Sequence, residues 1–140
     1  MAILFFNEGI KFNLKPKNSY KKWLREIAAK EEYDIKDLNY IFCSDEYLHQ
    51  INLEYLNHDT YTDIITFDNS DEEQQIEGDV FISVDRVKEN AIKLNNTFEV
   101  EVQRVMSHGL LHLMGYRDKT KSEKELMRKM ENSSITLFNQ

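Results

Sequence analysis

The order of apolar and polar residues along the chain predicts an alternation of strands and helices. Short apolar runs rich in β-branched and aromatic residues predict strands, whereas apolar residues three or four positions apart predict helices with one buried face. The predicted strands are Ala2–Phe6, Ile10–Leu14, Asn39–Cys43, Ile64–Phe67 and Val80–Val84. Helices are predicted after Ser19 and Ser44, over Asp85–Leu94, from near Asn96 to about Met114, and from Thr120 through Met130. This order predicts an α+β fold, a small mixed sheet of about four strands packed with about five helices.

Sequence signals at helix ends sharpen these boundaries. Ser44 and Thr120 suit N-cap positions, and Glu123 can complete a capping box with Thr120. Glu99 is placed to reach back to a cap near Asn96. Each signal satisfies backbone N–H groups that the first helical turn leaves free, so each predicts where a helix starts.

The apolar stripes of the predicted helices identify candidate core residues. The stripe of the first helix contains Tyr20, Trp23, Leu24, Ile27 and Ala28. The second helix carries Tyr47, Leu48, Ile51 and Tyr55, and the last carries Leu126, Met127 and Met130. Because Tyr20 and Trp23 lie on this apolar stripe, we assign them to the core.

Composition favours one folded domain over residues 1–140. Hydrophobic residues make up 41% and charged residues 31% of the chain, with one proline and four glycines, which excludes collagen-like, low-complexity and disordered classes. Cys43 is the only cysteine, so no intrachain disulfide can form and a reducing, cytoplasmic setting is expected. The apolar stretch Ala2–Phe6 is too short for a secretory signal, and no segment approaches the roughly 18 apolar residues of a membrane span. We therefore expect no association with membranes.

Charge is distributed unevenly along the chain. The 18 basic and 25 acidic residues give a net charge of −7, which argues against a nonspecific polyanion binder. Residues 11–30 are nevertheless strongly basic, residues 68–79 are acidic, and residues 117–129 interleave both signs. Each run is either a solvated face or, if the two basic runs share a face, part of an electropositive groove for phosphates. The sequence leaves both interpretations open.

One short segment carries the chemistry. His108 and His112 are four positions apart, which places them one turn apart on the same helix face with Cβ atoms about 5–6 Å apart. Two imidazoles at this separation can share one metal ion. Gly115 suits the left-handed position that ends a helix, and Asp118 beyond it can supply a third ligand. Three protein ligands leave one position open, which is typical of a catalytic metal site.

The spacing also matches the H-E-x-x-H-x-x-G-x-x-H frame of the metzincin metallopeptidases, with two exceptions. Gly109 replaces the glutamate that serves there as general base, and Asp118 replaces the third histidine. A peptidase interpretation therefore lacks its proton-transfer group. A set of two histidines and one carboxylate also suits ferrous iron, so the ligand types do not fix the metal.

Three sequence blocks resemble the YbeY family, the single-domain metal-dependent endoribonucleases of ribosomal RNA maturation. His108–Tyr116, HGLLHLMGY, matches the family signature H-G-x-L-H-L-x-G-Y-D-H throughout. Asn52–Phe67 and Gly78–Ser83 resemble the family segments N-x-x-Y-R-x-x-D-x-x-T-D-V-L-S-F and G-D-I-x-I-S. The blocks occur in family order and span residues 52–118.

The resemblance implies a function as well as a fold. It implies a zincin-like helix and one zinc ion held by His108, His112 and Asp118. It further implies hydrolysis of RNA, for which single strands are the expected target because their backbone is accessible without opening a duplex. Ribosomal RNA and the small ribosomal subunit are the implied partners, in rRNA maturation and ribosome quality control. The sequence contains no indication of the oligomeric state.

The sequence departs from the family pattern at the third ligand and at one cation. Asp118 aligns with the third histidine, Arg117 with its neighbouring aspartate, and Leu56 with an arginine that is thought to act on substrate phosphate. Arg117 or His58 could supply the missing charge, and Arg117 is preferred because it adjoins a ligand, although a solvated loop arginine is the competing interpretation. Asp63 is a candidate general base. Two alternative functions stay open: a metal-dependent hydrolase of another substrate, including peptide, and a ribosome-assembly or RNA-binding factor with weakened catalysis, for which Leu56 argues.

Overall fold

The computed structural model describes residues 2–140, which form five helices and one four-stranded mixed sheet. This confirms the predicted α+β architecture. The strands are β1 (Ala2–Glu8), β2 (Asp34–Cys43), β3 (Ile64–Asp68) and β4 (Gln75–Ser83). The helices are α1 (Lys17–Lys30), α2 (Asp45–Leu56), α3 (Val84–Lys93), α4 (Phe98–Leu113) and α5 (Lys121–Phe138). None of the helices within residues 2–140 combines the length and the apolar character needed to cross a bilayer.

The sheet has the strand order β1-β2-β4-β3. β1 and β4 both pair with β2 in parallel, whereas β3 pairs with β4 in antiparallel. Parallel neighbours require a crossover connection, and α1 provides it between β1 and β2. β3 is consequently an edge strand, and α4 packs across β3 and β4.

The principal core lies between the sheet and helices α1, α4 and α5. Leu24 of α1, Leu38 of β2 and Leu110 of α4 are fully buried in it. Trp23 Nε1 donates a hydrogen bond to the Ser134 carbonyl oxygen at 2.7 Å, which joins α1 to α5. This contact confirms that Trp23 belongs to the core. A smaller cluster on Cys43, Leu48 and Ile65 lies beneath α2.

The predicted helix-end signals are confirmed at three positions. The Ser44 hydroxyl accepts a hydrogen bond from the Tyr47 backbone N–H at 3.1 Å. Thr120 and Glu123 form the complete capping box at the start of α5. Gly115 has a φ of 99°, a conformation that side chains with a Cβ rarely adopt.

The segment Ile10–Leu14 is not a strand, contrary to the prediction. Its apolar residues alternate because Leu14 is buried in the core and the Phe12 ring packs 4.8 Å from that of Phe42. β1 and β4 already pair with both sides of β2, so this segment adds packing without adding a ladder of backbone hydrogen bonds. Alternation alone does not distinguish the two cases.

Three details of the predicted helices and the starts of two strands also differ from the structure. The N-cap of α4 is Thr97, one residue after the predicted cap near Asn96, and its hydroxyl accepts a hydrogen bond from the Val100 N–H at 3.1 Å. Tyr55 is 66% exposed although it lies on the predicted stripe of α2. Leu126 of α5 is likewise exposed, and β2 and β4 begin five residues before the predicted starts at Asn39 and Val80.

We expect Leu24→Ala to lower the free energy of unfolding by about 2–5 kcal/mol, because it opens a cavity in a filled core. Ile92→Ala is the matched control, since Ile92 is 81% exposed, and it should change stability by no more than about 0.5 kcal/mol. Chemical denaturation followed by circular dichroism measures both. Equal effects in the two variants would contradict the assignment of the core.

Candidate metal centre

The site forms where α4 ends and the chain turns back toward α5. His108 and His112 lie in the last turns of α4, with ring centroids 4.6 Å apart. The Gly115 N–H donates to the His112 carbonyl oxygen at 3.0 Å, and the left-handed φ of Gly115 redirects the chain. Asp118 follows in the connection to α5, so the bend returns its carboxylate to the histidine pair.

Two tyrosine hydrogen bonds join this bend to the turn that follows the carboxyl end of α1. The Tyr33 hydroxyl donates to the Met114 carbonyl oxygen at 3.0 Å. The Tyr116 hydroxyl donates to Glu31 Oε1 at 2.7 Å, and burial followed by this hydrogen bond raises the pKa of Tyr116 to about 12. The hydroxyl therefore stays protonated at neutral pH and the bond to Glu31 persists.

The three sequence-predicted ligands lie together at one point. Asp118 Oδ2 is 3.4 Å from His108 Nε2 and 3.4 Å from His112 Nε2. The three donor atoms all lie within 4.8 Å of one another. Donors bound to zinc at about 2.0–2.1 Å with tetrahedral angles are separated by about 3.3–3.4 Å, so both Asp118 distances match such a site. His108, His112 and Asp118 therefore form a triad that can hold a divalent cation.

The triad lies in an open cleft of about 580 Å³. One wall consists of residues 62–66 and 90–94, and the other consists of α4 and α5. All three triad side chains are partly exposed, so a small molecule or a chain segment can reach them. The cleft also contains Lys93, Arg104 and Arg128, which offset part of its acidic lining.

A buried glutamate of α5 contacts the triad from behind. Glu131 Oε2 lies 2.6 Å from His108 Nδ1, and Glu131 is only 4% exposed. Arg104 Nη1 donates to Glu131 Oε1 at 3.2 Å, and Arg104 Nε lies 3.7 Å from Glu101 Oε1. The sequence motifs do not include this network, although a signal was present: Glu131 falls four residues after the buried Met127 on the inner face of α5.

The surrounding carboxylates make the site electrostatically negative. Burial by itself lowers the pKa of His108, but the hydrogen bond and charge of Glu131 outweigh it, together with the charges of Asp118 and Asp63, so the pKa is raised. Burial also raises the pKa of Glu101, against the opposing charge of Arg104. A field that favours positive charge on His108 favours a metal cation for the same reason.

The candidate catalytic residues are distributed differently. Asp63 lines the cleft, and its Oδ2 accepts a hydrogen bond from Asn90 Nδ2 at 3.4 Å. His58 and Arg117 are exposed, and within residues 2–140 the cleft wall includes neither of them. Their catalytic roles, and that of Asp63, stay predictions.

Gly109 has a packing reason to lack a side chain. A Cβ at this position would lie 2.8 Å from Val80 Cγ1 and 3.1 Å from Ile64 Cδ1. The position that carries glutamate in the metzincin frame is therefore pressed against the sheet here, and a longer side chain has no room. The close approach of α4 to β3 and β4 therefore excludes a glutamate base at this position.

Comparison with known proteins identifies the family. The family model described as Endoribonuclease YbeY matches residues 5–139. The chain belongs to the YbeY family. Endoribonuclease YbeY of Cytophaga hutchinsonii is 56% identical over 136 residues, which cover 97% of this chain and 95% of that protein. The resemblance expected from His108–Tyr116 is thereby confirmed.

Two further proteins extend the comparison, one of them to a solved structure. Endoribonuclease YbeY of Flavobacterium johnsoniae is 48% identical over 133 residues, which cover 95% of each chain. The solution structure of TM1509 from Thermotoga maritima superposes with a TM-score of 0.70 at 29% identity, and the match covers 96% of this chain and 88% of that one. The α+β fold is therefore shared with an experimentally solved protein.

We expect the metal-free protein to gain thermal stability with added zinc, because a cation that binds only the folded triad shifts the folding equilibrium. At a free concentration 100 times Kd the gain is about 2.7 kcal/mol. Asp118→Asn removes an anionic ligand and should lose most of this gain. Asp37→Asn, on an exposed part of β2, should retain it, and an equal gain in both variants would argue against Asp118 as a ligand.

Proposed function

We propose that this YbeY-family protein is a zinc-dependent endoribonuclease that hydrolyses single-stranded RNA. The observation that carries the proposal is the accessible triad of His108, His112 and Asp118 in an open cleft. Relatives of nearly equal length are named Endoribonuclease YbeY, which supports the same reaction class for this chain. We further propose ribosomal RNA and the small ribosomal subunit as partners, in rRNA maturation and ribosome quality control in the cytoplasm.

The donor set fits a divalent metal. Two imidazole nitrogens and one carboxylate oxygen are acceptable zinc donors, and the separation of 3.4 Å between Asp118 Oδ2 and each Nε2 suits tetrahedral geometry. The chemistry that such a cation supplies is acidification of a water molecule and polarisation of a phosphoryl oxygen. The same donors also accept ferrous iron, so metal analysis of the purified protein belongs to the test of this proposal.

The protein's own residues can orient the reactants around the triad. His108, His112 and Asp118 fix one point of the cleft, and Asp63 occupies a wall of the same cleft. Asn90 donates to Asp63 Oδ2 and so restrains that carboxylate. A carboxylate so held can accept a proton from a water molecule that attacks phosphorus, the role of a general base.

Leu56 stands where the family resemblance places an arginine, and two exposed cations at the cleft can supply that positive charge instead. Lys93 lies at the end of α3 and Arg128 lies on α5, and both line the cleft. Lys93 Nζ is 2.9 Å from Glu89 Oε1 in an exposed pair, and such pairs contribute only about 0–1 kcal/mol. A phosphate can therefore displace Glu89 from Lys93 with little loss of stability. This placement favours Lys93 and Arg128 over Arg117 and His58 as phosphate-binding groups.

One observation favours a second function. Leu56 ends α2 with an exposed apolar side chain where the family resemblance places an arginine. An RNA-binding assembly factor that cleaves weakly or not at all would tolerate this change. The peptidase alternative has less support, because α4 packs so closely on the sheet at Gly109 that a glutamate base would not fit there.

We expect the purified protein to cleave ribosomal RNA fragments and to leave casein intact. A chelator, or the variant His112→Ala, should reduce RNA cleavage by about 100-fold or more, because metal ions supply several kcal/mol of transition-state stabilisation. Cleavage products resolved on denaturing gels provide the measurement. RNA binding without cleavage in either protein would favour the assembly factor, and cleavage of casein would favour the peptidase.

We expect Lys93→Met and Arg128→Met each to lower kcat/KM for RNA by about 10- to 100-fold, the value of a hydrogen bond to a charged group. Lys129→Met is the matched control, because Lys129 is an exposed cation of α5 outside the cleft wall. Arg117→Met tests the competing hypothesis. A large loss in Arg117→Met with none in the two cleft variants would reverse the assignment.

A further inference from the structure

We propose that Glu131 is a positioning residue for the metal centre: it holds the His108 ring so that Nε2 faces the triad. This inference rests on the proposed metal-dependent function, but it concerns a residue outside the ligand set. It assigns a role to a buried carboxylate that neither the H-x-x-x-H spacing nor the match to the family signature covers.

The hydrogen bond between the two side chains defines the tautomer. Glu131 Oε2 lies 2.6 Å from His108 Nδ1, and so short a separation indicates a charge-assisted bond. An ionised carboxylate only accepts hydrogen bonds, so Nδ1 must carry the proton. The neutral ring then has its lone pair on Nε2, the atom that lies 3.4 Å from Asp118 Oδ2. The nitrogen that can bind a cation is therefore the one directed at the triad.

Glu131 is itself held in place on its other oxygen. Arg104 Nη1 donates to Glu131 Oε1 at 3.2 Å and to Asn132 Oδ1 at 3.0 Å. Arg104 Nε also lies 3.7 Å from Glu101 Oε1. Because Glu131 is 4% exposed, water does not compete effectively for its carboxylate. The arrangement fixes the rotation of the His108 ring from α5, across the interface between two helices.

The hydrogen bond between His108 and Glu131 has a predictable effect on metal binding. A carboxylate on the second nitrogen of a liganding histidine increases the basicity of that ligand and restricts its orientation, and loss of such a partner lowers metal affinity by about 10- to 100-fold. Glu131→Gln preserves the size of the side chain but removes its charge. We therefore expect this variant to bind zinc with a Kd about 10- to 100-fold higher than that of the unmodified protein.

Competition of the folded protein with a chromophoric zinc chelator measures this change. Glu125→Gln is the matched control, because Glu125 is an exposed glutamate on the same helix, and its Kd should stay within twofold. Thermal denaturation of the metal-free variants separates positioning from folding: a purely structural role would lower Tm and leave the Kd of the folded protein unchanged. A Kd for Glu131→Gln within twofold of the control would overturn the proposal.

Nitrogen-15 spectra of the metal-free, unmodified protein provide a test that needs no variant. At a pH high enough for the His108 ring to be neutral, we expect it to carry its proton on Nδ1, and a proton on Nε2 instead would overturn the proposal. This readout is independent of activity. If the protein fails to cleave RNA while the tautomer and the Kd behave as expected, the proposed function fails and the role of Glu131 stands.

Discussion

The close packing of α4 on β3 and β4 is the constraint on which the site depends. Gly109 lies against Val80 and Ile64 with no space for a Cβ, so the helix axis approaches the sheet more closely than an ordinary side chain allows. That approach fixes the height and rotation of α4. His108 and His112, on either side of Gly109 in the sequence, are thereby held at the cleft while the leucines of the same helix fill the core.

The second requirement of the site is a balance of charge behind it. Glu101, Arg104 and Glu131 form a largely buried network, and the exposed Arg128 reaches it with its Nε 3.8 Å from Glu131 Oε1. Burying charges is costly unless they are paired, and here Arg104 pairs with both neighbours. Two carboxylates contact the His108 ring, Glu131 at Nδ1 and Asp118 at Nε2, and their charges favour a cation at the triad.

Residues close together in sequence were the ones that sequence analysis could place. The spacing of His108 and His112 on one helix, the bend at Gly115 and the return of Asp118 all follow from local geometry, and so does the capping box at Thr120. Glu131 could not be assigned in this way, because its role depends on how α5 docks against α4. The same limit explains Ile10–Leu14, whose alternating pattern reflects tertiary packing and not strand pairing.

The tyrosine contacts at the bend connect distant parts of the chain. Tyr33 and Glu31 lie 81 and 85 positions from their partners Met114 and Tyr116. Since the bend that presents Asp118 is anchored there, loosening the turn between α1 and β2 would disperse the donor atoms. By thermodynamic linkage, a cation that recognises only the assembled bend also stabilises this distant turn. Binding of a cation at the triad and ordering of the turn between α1 and β2 should therefore each favour the other.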